Sequence, residues 1–160
     1  MITLILTTST LHLKPHLAKH DGFNLIVSEP NKDGKPMFPD GEVYVRFPLL
    51  KKPKGRVVVL HSGAPHPNQG LVELESILSV LLHNGIKETE VFFTYMPYSM
   101  QDKIHEDGET NAAKNLIHKT ERLRTKQTLE TKQIRKEVQK NIWSADHHIQ
   151  IQSEESKLLL

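Results

Sequence analysis

Short unbroken apolar runs alternate along this chain with apolar residues at helical spacing. Ile2-Thr3-Leu4-Ile5-Leu6 and Arg56-Val57-Val58-Val59-Leu60-His61 are runs of the first kind, and they predict strands covered on both faces. Asn24–Ser28 predicts another strand. Val91–Tyr95 predicts a buried one, stopped at Met96-Pro97 because proline removes a ladder donor and pushes its predecessor toward extended geometry. Glu42-Val43-Tyr44-Val45-Arg46-Phe47 alternates polar with apolar side chains, the mark of a half-exposed strand. Leu71, Leu74, Leu78 and Leu81 recur at helical spacing, so a helix is predicted over Leu71–His83, capped by Asn68 and closed by Asn84-Gly85. A shorter helix is predicted over Leu11–His20, started or interrupted by Pro15, and another opens at Ala112 behind Thr110 or Asn111 as cap. Strand, helix, strand, helix is the order of an α/β protein with a doubly wound, mainly parallel sheet.

Composition narrows the picture further. At 160 residues the chain is long enough for one domain with a core of its own, and 37% hydrophobic with 25% charged residues suits a soluble globular protein. A net charge of +2 gives no argument for nucleic acid, and no apolar run reaches membrane-spanning length. The absence of cysteine excludes a disulfide framework and thiolate metal ligands, and agrees with a cytoplasmic setting. Met1 leads directly into an apolar run with no basic region before it, which is read as a first strand and not a signal peptide. Beyond His118 the character changes: Lys119–Lys140 holds eight basic and three acidic residues with only Leu123, Leu129, Ile134 and Val138 apolar, predicting an exposed helix.

Neither of the usual glycine-rich phosphate cradles occurs, nor a readable Ser-His-Asp or Cys-His set. His12, His16 and His20 are four apart and would share one helical face, but no acidic or thiolate partner accompanies them, so a solvated face is the expectation. Lys51-Lys52-Pro53-Lys54-Gly55 is read as a solvated connector. The polar stretch Gln101-Asp102-Lys103 leaves the carboxyl end of a strand, where open α/β sheets hold their ligands. Phe38 offers a flat apolar face for a base, and Asp40 and Glu42 can accept hydrogen bonds from an exocyclic amine and nearby hydroxyls. Taken alone, Asp40-Gly41 is equally well a plain turn before a strand.

Two blocks carry a family resemblance. Tyr98-Ser99-Met100-Gln101-Asp102-Lys103, with Gly108-Glu109 and Ala113-Lys114, resembles the Y-A-R-Q-D-K loop of ribose-phosphate pyrophosphokinases. Phe38-Pro39-Asp40-Gly41-Glu42-Val43-Tyr44-Val45-Arg46 resembles that family's F-(S/P)-D-G-E-x-x-V-R signature, and Asn68, Leu71, Glu73 and Leu74 are similar to its N-D-N-L-M-E-L helix. The resemblance implies a phosphoribosyltransferase-like N-terminal domain over residues 1–118, followed by a divergent basic helical extension and tail over 119–160. It also implies an ATP site built from Phe38, Asp40 and Glu42 of one subunit and Gln101, Asp102 and Lys103 of another, hence a homo-oligomer or a complex with a homologue.

The family reaction transfers the β,γ-diphosphate of Mg-ATP to the anomeric hydroxyl of ribose 5-phosphate. Two departures qualify the carry-over. Met100 stands where the family has arginine, a planar cation suited to phosphate oxygens. Residues 119–160 resemble neither the ribose-5-phosphate loop nor the catalytic-lysine loop of the family's second half, so no catalytic residue is assigned. For the family's Mg²⁺ histidine two alignments stand open: Asp146–Gln152 would make His148 the ligand, whereas Ser144–Ile149 aligned to an earlier strand leaves none. The expectation is an incomplete N-terminal half, inactive alone, binding ribose 5-phosphate only if a second half is supplied. The alternative is a non-catalytic adenine-nucleotide-binding or regulatory subunit associating with a complete synthetase.

Overall fold

A computed structural model describes residues 2–47, 53, 55–86, 88–122 and 125–127. Five parallel strands form one sheet in the order β2-β1-β3-β4-β5, with β1 at Ile2–Leu6, β2 at Phe23–Val27, β3 at Arg56–Ser62, β4 at Thr89–Tyr95 and β5 at Thr125–Gln127. Chain order runs outward from the centre in both directions. From β1 it steps to β2 on one side, and from β3 it steps to β4 and β5 on the other. The right-handed rule for parallel crossovers then puts the intervening helices on opposite faces.

The strand residues divide accordingly. Leu4, Leu6, Val58 and Leu60 pack with Leu13 and Leu17 of the β1–β2 crossover, while Ile5, Val57, Val59 and Val91 pack with Leu74, Ile77, Leu78 and Leu81 of α2, Pro67–His83. The unbroken runs in β1 and β3 thus reflect a sheet buried on both faces, as their lack of alternation predicts.

Several boundaries differ from the sequence reading. The β1–β2 crossover is a 3-10 helix, Thr8–Leu13, and then a single α-helical turn, α1, Lys14–Leu17, which Pro15 starts. His20 falls beyond that helix, so the three histidines share no helical face, and among the described residues no cluster of three potential ligands could hold a metal. α2 begins one turn earlier than predicted, with His66 as N-cap, which places Asn68 inside the first turn instead of at the cap. Its end is as predicted: Gly85 has φ +77°, and the bonds Gly85 N–H to Leu82 O (3.0 Å) and Ile86 N–H to Leu81 O (3.0 Å) make a Schellman close.

The stretch Glu42–Phe47 is not a sheet strand. Only Val43 forms a bridge, antiparallel to Met37; just after β2, Arg46 O accepts from Glu29 N–H (2.8 Å), and Arg46 N–H donates to the Ser28 hydroxyl (3.0 Å). Its alternation reflects a hairpin arm lying on the protein, with Phe47 turned into the α2-side core. β4 is less buried than its apolar run suggests, since the outer half is left open and Tyr95 is exposed.

α3, Ala112–Arg122, runs through residue 118, where the sequence reading placed the end of the domain, and β5 then adds to the sheet. The expected basic helix therefore contributes helix up to Arg122 and strand over Thr125–Gln127; residues 128–160, with His148, lie outside the described residues. Lys51, Lys52 and Lys54 lie outside them too.

Candidate functional site

The sequence-predicted residues occupy two surface features. The first is the tip of the hairpin between β2 and β3. Gly41 N–H bonds Phe38 O (3.0 Å), Phe38 N–H bonds Glu42 O (2.8 Å), and Glu42 N–H bonds Asp40 Oδ1 (3.1 Å). Pro39 presets one corner, and Gly41 at φ +92° supplies the left-handed geometry that a side chain would resist. The Phe38 ring is held edge-to-face against Tyr44 at 5.5 Å and stays 40% exposed. Asp40 and Glu42 are exposed beside it. The turn therefore presents a fixed aromatic ring and two carboxylates outward.

The second feature is the loop leaving β4. Pro97 is buried against Gly63, whose N–H bonds Tyr95 O at 2.8 Å. Tyr98 takes left-handed geometry (φ +59°), which costs about 1–3 kcal/mol for such a residue, and its hydroxyl hydrogen-bonds Asn68 of α2. Asn111 ties the far end, donating to Asp102 O (2.6 Å) and capping α3 by accepting from Lys114 N–H (2.8 Å). Between these anchors Gln101, Asp102 and Lys103 are exposed, and Met100 is 85% exposed. No hydrogen bond or ring contact among the described residues joins this loop to the Phe38–Glu42 turn.

A third place went unassigned in the sequence. The order β2-β1-β3-β4 reverses direction between β1 and β3, and the loops leaving their carboxyl ends part toward opposite faces, which opens a crevice. A cavity of about 370 Å³ lies there, lined by Thr8 and Ser9 after β1, by Ala64, Pro65 and His66 after β3, by Gln69, Gly70 and Glu73 of α2, and by Pro36, Met37 and Val43 of the hairpin. Glu73 is buried, and its Oε1 accepts from both Thr8 N–H (2.8 Å) and Thr8 Oγ1 (2.9 Å). Burial raises its carboxyl pKa, with the Thr8 bonds working against the rise.

Beneath the crevice, His61 is fully buried with Nδ1 3.2 Å from Thr7 Oγ1 and no partner for Nε2, and desolvation lowers its pKa to about 4, leaving a neutral imidazole. The sequence signal for Glu73 is its place in the apolar stripe of α2, next to Leu74 and four before Ile77. A carboxylate there must have a buried partner.

No family model matches the chain. It is 30% identical to the ribose-phosphate pyrophosphokinase of Pyrococcus abyssi over 108 residues, which are 68% of this chain and 34% of that protein. It is 37% identical to the ribose-phosphate pyrophosphokinase of Sulfolobus acidocaldarius over 99 residues, 60% of this chain and 34% of the relative, and 42% identical to that of Methanopyrus kandleri over 72 residues, 45% and 24%. The chain thus spans about a quarter to a third of the length of these curated relatives. In three dimensions it is similar to phosphoribosylpyrophosphate synthetase from Mycobacterium smegmatis, with a TM-score of 0.65 and 24% identity over 84% of this chain and 44% of that one. That likeness establishes the fold.

Proposed function

Starting from this similarity to ribose-phosphate pyrophosphokinases, we propose that the chain supplies the adenine-nucleotide side of a diphosphoryl transfer from Mg-ATP to ribose 5-phosphate. The observation that carries the reading is the Phe38–Glu42 turn, where a stiff hydrogen-bonded tip holds an aromatic ring and two carboxylates in the open. Base–aromatic stacking is worth about 1–3 kcal/mol, and carboxylates accept from an exocyclic amine and ribose hydroxyls. Gln101 and Lys103 offer donors for phosphate oxygens, on a loop anchored at both ends. Both features are exposed, and no hydrogen bond or ring contact among the described residues joins them within one chain, which supports a site completed between subunits, by a second copy or a homologue.

The described residues contain no three-ligand metal cluster; in this reading Mg²⁺ would reach the surface as part of Mg-ATP. Phosphate oxygens and water would supply most of its ligands, and Asp102 is a loop carboxylate beside Gln101 and Lys103 that would help hold it. When bound, the metal would neutralise charge on the phosphates; the protein's share would be to stack, orient and hold. A second reading, a nucleotide-binding subunit without catalysis of its own, is favoured by Met100, which puts an exposed thioether where the family loop has arginine.

Calorimetric titration of ATP with Mg²⁺ into the 160-residue chain tests the proposal. Phe38→Ala and Asp40→Ala should each weaken binding at least fivefold. Absence of binding, or affinity unchanged by both, would refute it. AMP formation on adding ribose 5-phosphate separates the two readings: steady release makes the chain catalytic, and binding without release leaves a nucleotide-holding subunit.

A further inference from the structure

The hairpin that carries the exposed turn has an inner face as well. Met37 and Val43, paired across its bridge, line the crevice cavity, while residues 38–42 between them are open to solvent, apart from any contribution to that cavity. The chemistry of the cavity differs from that of the turn. Among the described residues no lysine or arginine lines it, and its acidic residue is Glu73. A phosphorylated ligand would find a buried carboxylate there and no side chain of fixed positive charge.

Glu73 is only 7% exposed, yet its hydrogen bonds among the described residues converge on one oxygen, where the two Thr8 donors at 2.8 and 2.9 Å occupy both lone pairs of Oε1. Oε2 receives neither of them, and Glu73 also lines a smaller adjoining cavity of about 210 Å³. The first turn of α2 lies next to Glu73 on the same helix, with Gly70 and Gln69 three and four residues before it. Its first intrahelical bond is Gly70 N–H to His66 O (2.9 Å), so the N–H groups of Asn68 and Gln69 have no intrahelical acceptor. A largely apolar slot with one acceptor carboxylate and backbone donors selects a flat molecule that carries both a donor and an acceptor.

We propose that this cavity binds a small unphosphorylated heteroaromatic with an exocyclic amine, of the aminopyrimidine type. The amine donates to Glu73 Oε2, and the ring lies against Met37, Val43 and Pro65. Its size, about 370 Å³, is at the small end of ligand pockets and suits one or two rings. This site is separate from the proposed nucleotide turn and does not depend on it.

The test is a titration of the ¹⁵N-labelled 160-residue chain with 4-aminopyrimidine, followed by amide chemical shifts. Saturable shifts are expected at Thr8, Ser9, Gln69 and Gly70. Pyrimidine, which lacks the amine, should bind at least tenfold more weakly, and inorganic phosphate should leave these amides unmoved. Met37→Trp, which fills the slot, should abolish the shifts. Glu73→Gln should weaken binding at least tenfold: the two Thr8 donors hold the amide oxygen, which leaves an NH₂ facing the ligand's amine. Phe38→Ala should change nothing, so failure of the nucleotide reading would leave this one standing. The proposal is overturned by the absence of saturable shifts at those four amides, by shifts confined to residues 38–42, or by equal affinity for pyrimidine and 4-aminopyrimidine. Should Glu73→Gln fail to fold, Met37→Trp and the pyrimidine comparison decide the matter alone.

Discussion

His61 should give the protein a pH-dependent stability that a single substitution removes. Its imidazole is fully buried at the end of β3, with Nε2 unpartnered against the first turn of α2, and desolvation lowers its pKa from 6.5 to about 4. A lowered folded pKa means that the unfolded chain holds the proton more tightly. Stability is therefore complete above about pH 6.5 and is lost as pH falls toward 4. The gap is about 2.5 units, and at about 1.36 kcal/mol per unit the loss amounts to roughly 3 kcal/mol. Glu73 opposes it: its raised pKa makes protonation favour the fold, so this carboxyl adds stability as pH falls and removes it as pH rises above its ordinary value.

Comparison with His61→Gln isolates the histidine, since both proteins share every other titrating group. Urea unfolding at intervals between pH 7.5 and 4 should show the gap between the two proteins shifting by about 3 kcal/mol in the variant's favour toward acid. Parallel stability curves would refute the reasoning, because they would mean that the imidazole charges inside the fold without cost.

Three further outcomes are expected. Gly63→Ala should destabilise the chain by about 1–3 kcal/mol or more, read from the urea midpoint, because a Cβ there would lie 2.6–2.7 Å from the N, Cα and Cβ atoms of Pro97, and backbone cannot swing aside. A midpoint within error of the parent would show that β3 and the β4 loop are not so closely apposed. Met100→Arg should tighten ATP binding by calorimetry, by up to about tenfold. A charge-assisted contact adds about 1.5–3 kcal/mol, ordering the side chain removes up to about 2, and an 85% exposed methionine gives up no packing. Equal affinities would mean that this loop does not face phosphate. Asn111→Ala should cost about 1 kcal/mol of stability through the lost α3 cap and free Asp102 O, with faster amide exchange at Lys114 as the local readout.

Local pattern by itself determined much of the architecture. Unbroken runs at Ile2–Leu6 and Val57–His61, the leucine spacing of α2, and the close at Asn84-Gly85 all depend on residues within a few positions of each other. Buried parallel strands, helical periodicity and left-handed caps leave such short-range marks. The Phe38–Glu42 turn and the Gln101–Lys103 loop could be singled out as exposed, chemistry-bearing segments for the same reason, since each is contiguous; their role in binding belongs to the proposal.

What only the tertiary structure decided depends on groups far apart in the chain. Glu42–Phe47 has the alternation of a strand, but whether it enters the sheet depends on a free edge, and it pairs with Met37 and the Ser28–Glu29 segment instead. The contact between Thr8 and Glu73 spans 65 residues, and that between His61 and Thr7 spans 54. The crevice they border exists only because β1 and β3 lie side by side while their helices depart to opposite faces. Sequence period reports which face of an element is buried; which buried groups meet is set by strand order, and that is a long-range choice.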